Sequence, residues 1–444
     1  MRRDQFDGSM IVRLPMLPAL RSLDFMPSPI ADRPGLLIRD PYRFSDATLI
    51  VPPALTGGLQ FFDGTHSELD LREYFVRITG TLEVGDLVRH FVDALSGAGF
   101  LEDETFARRK QEAEESFKAA PRRDPVHAGS GYPGEVTELK QTLAEYLDGA
   151  VANMGRVTAI AAPHVSPFGG VEAYRAAYSA LSPADADRTF VILGTSHYGR
   201  PDCLGLTRKP FVTPFGETAT DAGIVDFVEK EAGDGAVMED YCHAVEHSIE
   251  FQVIFLQHLF GPNIRIVPIL CGAYARSLYE GGLPEASEPV RRALGTLGEL
   301  ASREGDRLLW VLGVDMAHIG KRYGDKVQAR AGQGEMEQVE RRDRGRIASM
   351  EQGDAQGFWE QVRENHDDLK WCGSAPIYTF LRSVPQARGR LLQYQQWNID
   401  EGSVVSFAGM AFGPNGWLAG RPKEAAQKRL YRRGSLCVTL CFQK

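Results

Sequence analysis

Three histidines stand directly behind segments that read as buried strands. His164 follows AIAAP, His197 lies three residues past FVILG in GTSHYG, and His318 closes LLWVLGVDMAH, three residues after Asp315. Ligands of open α/β sheets bind in the crevice outside the carboxyl ends of the strands. Any one such histidine alone reads as a packing or surface residue; three in matching positions, beside a carboxylate, read as an open site assembled from strand ends. The donors are too far apart in sequence for a zinc finger, and no CxxC is present.

Cys372, in KWCGSAPIYTFL, is a fourth candidate, at a turn just before an expected helix. A helix N-terminus favours the thiolate, the form that binds metal. A small buried apolar residue is the competing reading. The segment YCHAVEHSIEFQVIFLQ adds His243, Glu246, His247 and Glu250 around a helix start. Glu246 and Glu250 are one turn apart and read as structural complements of the helix dipole. His247 reads as a proton donor or acceptor near the rim, or as a partner that orients a ligand.

The elements that must present these groups form an alternating series. VTELKQTLAEYLDG, VEAYRAAYSAL, GIVDFVEKEAG, SIEFQVIFLQHLFG and EPVRRALGTLGELASR have helical spacing. RVTAIAAP, TFVILG, IRIVPILCG and RLLWVLGVD are continuously apolar. Such strands, separated by helices, predict an α/β fold whose mainly parallel central sheet is covered by helices on both faces. The series occupies residues 125–413, followed by a basic tail over 414–444 in which Cys437 and Cys441 receive no metal role.

Upstream, residues 1–40 are rich in Pro and Arg and read as a loosely ordered arm. Residues 41–104 carry short apolar runs, an Asp63-Gly64 turn, and a helix that Thr65 or Ser67 would cap. A second helix follows, with Leu82, Leu87, Val88, Phe91, Val92 and Leu95 on one face and a stop at Gly97/Gly99. Two helices with flanking strands suggest a small winged-helix-like α+β module. Residues 105–124 read as a solvated linker helix.

Several of these blocks resemble one known family when taken together. AGSGYPGEVTELKQTLAEYL, AAPHVSPFGGVEAYRAAY, FVILGTSHYG, TPFGETATD, EHSIEFQVIFLQ, GVDMAHIG, WCGSAPIY and GSVVSFAGMAF occur in the order found in the Memo family, also known as AmmeMemoRadiSam system protein B. The resemblance implies a fold similar to the class III extradiol ring-cleaving dioxygenases. It places the metal-site pattern on His164, His197 and Cys372, with Asp315 and His318 as neighbouring site residues. It also implies a radical-SAM partner protein. This chain departs from the family at Val165-Ser166-Pro167, where Ala-Gly-Tyr is usual. It departs again at Tyr198, often a second His, and at Val314-Asp315-Met316, where Ser-Asp-Phe is usual. The wall beside the donors has therefore changed, and no substrate carries over. DGTHSEL with the following helices resembles the PqqD type of peptide-recognition winged helix.

Two functions follow from the resemblance and the residues. One is a metal-dependent, dioxygenase-like oxidoreductase in which His247 or His318 moves protons and Asp315 tunes His318. The other is a non-catalytic peptide-binding or metal-handling protein. The cofactor expected is one transition-metal ion, Fe(II) first, with Cu(I) and Zn as alternatives. The ligand expected is a small molecule or peptide in the strand-end pocket. With 59 acidic and 50 basic residues the net charge is −9, which disfavours a nucleic-acid role. No apolar run suits a membrane span, and six cysteines in 444 residues fit a reducing, cytoplasmic setting.

Overall fold

A computed structural model describes residues 15–149 and 154–417. An N-terminal module begins with β1 (Asp24–Pro27), β2 (Leu36–Arg39) and β3 (Thr48–Val51), an antiparallel meander. Helices α1 (Glu68–Thr79), α2 (Gly85–Gly97) and α3 (Glu104–Ala119) follow. The larger unit contains, in order, α4 (Val136–Leu147), β4 (Ala159–Ala162), α5 (Val171–Tyr178), β5 (Thr189–Thr195), β6 (Leu204–Leu206), β7 (Phe211–Thr213) and β8 (Gly216–Thr220). Then come α6 (Ala222–Ala232), β9 (Ala236–Met238), α7 (Cys242–Val245), α8 (Glu250–Phe260), β10 (Arg265–Cys271), α9 (Ala275–Glu280), α10 (Glu288–Glu304) and β11 (Leu308–Gly313). β12 (His318–Gly320), α11 (Glu335–Gln352), α12 (Ala355–Arg363), α13 (Ser374–Ser383), β13 (Ala387–Asp400) and β14 (Ser403–Pro414) complete it.

The central strands β4, β11, β5 and β10 are mutually parallel neighbours. Their continuous apolar runs are explained by burial on both faces. Within β5, Val191 and Leu193 enter the core beneath α6, α10 and α13, while Phe190 and Ile192 enter the opposite core beneath α4, α5 and α8. That is the two-residue alternation of a strand with no solvent face. α8 is buried from Glu250 to Gln257, so its lack of a polar stripe reflects a helix enclosed on all sides.

The sheet is mixed beyond its centre. β14 runs antiparallel to β4 and pairs with both β12 and β13, and β6 runs antiparallel to β10. The β13–β14 hairpin falls outside the helix–strand alternation read from the sequence. A strand buried along almost its whole length, as β14 is, carries no polar alternation to mark it.

The N-terminal module differs from expectation in two respects. Residues 15–40, expected as an arm, supply β1 and β2, and Leu17 and Ile38 join a core with Phe75, Val88, Phe91 and Phe100. Its three strands precede the helices rather than flank them, because LQFF lies in a 3-10 turn and not in a strand. The α1 cap is Ser67, which accepts from the Asp70 N–H while Asp70 accepts from the Ser67 N–H, a reciprocal capping box. Leu82 lies before α2 and is 76% exposed; Val84 takes the buried position expected of it. α3 is largely exposed, as a linker would be, but Phe117 is buried and Phe106 packs on Phe44. The basic tail with Cys437 and Cys441 lies outside the described residues. Among those described, no helix is long and apolar enough to cross a membrane.

The contrast between two apolar positions gives a stability test. Phe255 is buried, stacked with Tyr174 and Tyr178 at 4.5 and 4.8 Å between ring centroids. Phe255→Ala should destabilise the protein by about 3–5 kcal/mol in urea unfolding. Leu82→Ala should stay within about 0.5 kcal/mol, as for other exposed sites.

Candidate metal centre

β4, β5 and β11 run parallel, so all three end on one edge of the sheet. Beyond those ends the chain must reverse in little space. A Cβ on Gly313 would lie 2.2 Å from the Ser248 carbonyl oxygen, and one on Gly373 would lie 2.6 Å from the Asp315 carbonyl oxygen. Glycine at these two points lets the loops after β11, before α8 and before α13 converge.

Three imidazoles meet there. His164, His197 and His247 form a near-equilateral triangle, each pair of ring centroids 5.1 Å apart, and one donor atom from each lies within 4.8 Å of the others. Their protons follow from their partners. His164 Nδ1 is 2.9 Å from the Gly313 carbonyl oxygen, which only accepts, so Nδ1 holds the proton and Nε2 the lone pair. His197 Nδ1 and His247 Nδ1 lie 3.0 and 3.1 Å from the carboxylate of Glu246. Both Nε2 atoms are thereby left as acceptors, the form a metal requires.

Glu246, read from the sequence as a structural complement of the helix dipole, is instead the residue that holds two of these rings. It is fully buried, and it also accepts the backbone N–H groups of His197, His247 and Ser248. Burial acts to raise its pKa, but the charge of His197 and hydrogen bonds from His197 and His247 outweigh that and hold it well below the usual value. On His197 burial acts downward, yet Glu246 outweighs it and the pKa rises. Burial, followed by the neighbouring His197 and His247, holds His164 well below the ordinary histidine value.

Cys372 Sγ lies 3.2 Å from His164 Nε2, but, against expectation, the thiol falls outside the group of donors that all lie within 4.8 Å of one another, a place taken by His247. It stands just ahead of α13, whose N-cap is Gly373. The expected lowering by the helix does not prevail: desolvation, followed by the nearby Asp315 carboxylate, pushes the thiol well above its usual pKa. Cys271, at the end of β10, is buried and pushed up to about 12 by burial.

Asp315 and His318 occupy the flank of this cluster. Asp315 Oδ1 accepts the backbone N–H groups of His164 and Val165, and its Oδ2 is 3.5 Å from His164 Nε2. Burial raises its pKa. His318 makes its hydrogen bonds elsewhere, with Nδ1 at 2.9 and 3.0 Å from the Met316 and Lys370 carbonyl oxygens. The tuning of His318 expected of Asp315 is therefore not a hydrogen bond; it is a through-space field too weak to offset burial, which takes His318 down to about 4. The rim grouping expected from strand ends also changes. His247, delivered ahead of α8, sits in the triangle, and His318 sits beside it.

His127 is a further imidazole near the site, its ring 5.6 Å from that of His247. Its Nε2 is 3.0 Å from the Val245 carbonyl oxygen, so that nitrogen carries the proton, and the ring lies outside the three-histidine group. Glu250 is structural, as expected: it is buried and binds Arg123, Tyr132 and the backbone N–H groups of Val126 and His127. His243 is likewise buried, with Nε2 3.0 Å from the Gly205 carbonyl oxygen. Tyr198, next to His197, packs on Tyr42 of the N-terminal module, and a cavity of 460 Å³ opens where the two units meet.

A family model described as Memo-like protein matches residues 123–411. A MEMO1 family protein of Aquifex aeolicus is 26% identical over 401 residues, covering 89% of this chain and 100% of that protein. One from Thermococcus kodakarensis is 31% identical over 305 residues, 65% of this chain and 99% of its own length. One from Thermus thermophilus is 27% identical over 314 residues, 70% and 87% of the two chains. The Aquifex alignment is too long to fit within the matched domain, so part of the N-terminal module is shared as well. The chain belongs to the Memo family.

Proposed function

We propose that this protein holds a single transition-metal ion on His164, His197 and Cys372, with His247 beside them as a fourth donor or proton carrier. The observation that carries this reading is the shared buried carboxylate of Glu246. It fixes two imidazoles with Nδ1 protonated, and the Gly313 carbonyl does the same for His164, so that three Nε2 lone pairs are presented together. Imidazole and thiol donors suit Fe(II), Cu(I) or Zn rather than the oxygen-preferring ions. A cation would also supply the field that Cys372 needs in order to ionise against burial and Asp315.

The chemistry proposed is that of a dioxygenase-like oxidoreductase acting on a small molecule or peptide. A bound ion would supply Lewis-acid or redox capacity. The protein's part is to hold His164 through Asp315 and to keep His318 neutral. With Nδ1 held by the Met316 and Lys370 carbonyls, His318 would offer its Nε2 lone pair to a substrate hydroxyl. A second reading, a metal-handling protein without turnover, is favoured by the thiol of Cys372, since a soft donor suits Cu(I). Oxygen uptake with candidate catechols supports the first reading. Stoichiometric ion transfer to a competing chelator, without oxygen uptake, supports the second.

Protein purified anaerobically without a His tag should contain about one ion per chain, as a mononuclear site requires. His164→Ala or His197→Ala should remove most of it; full stoichiometry in both variants would refute the donor set. Glu246→Gln should weaken binding by roughly tenfold or more, as loss of an orienting partner does. Affinity should fall with falling pH, because protons compete for the same nitrogens and His197 is raised in pKa.

The thiol gives a separate test. Metal should protect Cys372 from alkylation, and a chelator should expose it, while the buried Cys271 stays unlabelled in both samples. Equal labelling of Cys372 with and without chelator, measured by mass spectrometry, would move the third donor to His247.

A further inference from the structure

The loops that present Cys372 and the Asp315–His318 pair are separated in the sequence by α11 and α12, and both are tied to one buried carboxylate. Asp343, on α11, is fully buried. Its Oδ1 accepts the indole N–H of Trp371 at 2.7 Å, and Trp371 directly precedes Cys372. Its Oδ2 accepts the hydroxyls of Ser406 and Tyr394 at 2.6 and 2.7 Å. Ser406 in turn clasps the segment between Asp315 and His318: its Oγ accepts from the Ala317 N–H, its carbonyl accepts from Met316, and its N–H donates to Ala317.

A second observation concerns the backbone ahead of Cys372. Asn365, His366, Asp367 and Lys370 have positive φ of 54° each, four of the seven such non-glycine residues described. Left-handed geometry is costliest here for Lys370, Asn, Asp and His adopting it more readily, and such a run is held by surrounding contacts. The contacts again come from α11. Arg346, one turn from Asp343, pairs with Asp367 at 2.8 Å, and its guanidinium lies 5.1 Å from the centre of the Trp371 ring. One helix therefore holds this segment by the Asp367 carboxylate and by the Trp371 indole.

We propose that Asp343 is a positioning residue of the metal centre, setting the Cys372 turn against the Asp315–His318 loop without itself touching the ion. This inference rests on the reading that Cys372 donates to a metal at this site. Three donors, an indole N–H and two hydroxyls, converge on the two carboxyl oxygens of Asp343, which is why an acid serves here. The amide of Asn cannot accept from the indole and from both hydroxyls in the same arrangement.

The test uses cobalt(II) titrated into the full, metal-free chain, because thiolate ligation to cobalt gives a near-ultraviolet charge-transfer band. Asp343→Asn, Trp371→Phe and Ser406→Ala are compared with the parent, with circular dichroism confirming the fold of each. Trp371→Phe and Ser406→Ala each remove a single donor and keep the test informative if Asp343→Asn does not fold. Cobalt affinity should fall by roughly tenfold or more, and the thiolate band should weaken or shift, in the folded variants. Alkylation of Cys372 in metal-free protein, relative to Cys203, should change in the same variants. Parent-like affinity, band and alkylation in the folded variants would overturn the role of Asp343. A parent protein that binds no cobalt, or binds it with no thiolate band, would instead overturn the reading of the site.

Discussion

Parallel pairing of β4, β11 and β5 is the constraint on which the site depends. Because the three strands run in the same direction and in register, their carboxyl ends lie along one edge. Every loop that leaves that edge must find partners for its backbone groups in a confined space. The packing is close enough that Gly313 and Gly373 have no room for a side chain. Polar side chains that satisfy these loops are thus drawn into the same volume as the candidate donors.

Glu246 illustrates the consequence. An ionised carboxylate without partners is costly to bury, and here the cost is offset by three backbone N–H groups and two imidazoles. The same bonds that make the burial tolerable fix the tautomers of His197 and His247. Stability and donor orientation are one interaction at this residue. Asp315 combines the roles differently: it holds the His164 backbone with one oxygen and leaves the other beside the His164 ring.

The N-terminal module is joined to this edge of the larger unit through aromatic contacts. Tyr42 packs on Tyr198, and Phe44 stacks on Tyr241 at 4.9 Å. Tyr198 is thus the residue through which the loop after β5 touches the module. The neighbouring residue is His197. Changes at this point would be felt both by the interface and by the candidate centre.

The α/β architecture was legible in the sequence because strands buried on both faces must be continuously apolar, and the helices between them, α8 apart, show one apolar stripe. His164 and His197 were legible for a related reason, since they directly follow such strands and share their direction. Cys372 was marked by its block WCGSAPIY, and His247 by its crowded histidine and glutamate segment. The partnership of Glu246 with both His197 and His247 was not legible. Its carboxylate reaches a residue 49 positions away, and an acidic residue before a helix has an ordinary explanation in the helix dipole. Local sequence likewise placed Cys372 at a helix start, where a lowered pKa is expected, but the tertiary structure buried it beside Asp315 and reversed the direction. The β13–β14 hairpin and the hold of Asp343 on two distant loops were also decided only in three dimensions. Periodicity and strand order are properties of the local chain; which loops share a buried carboxylate depends on contacts that sequence spacing does not encode.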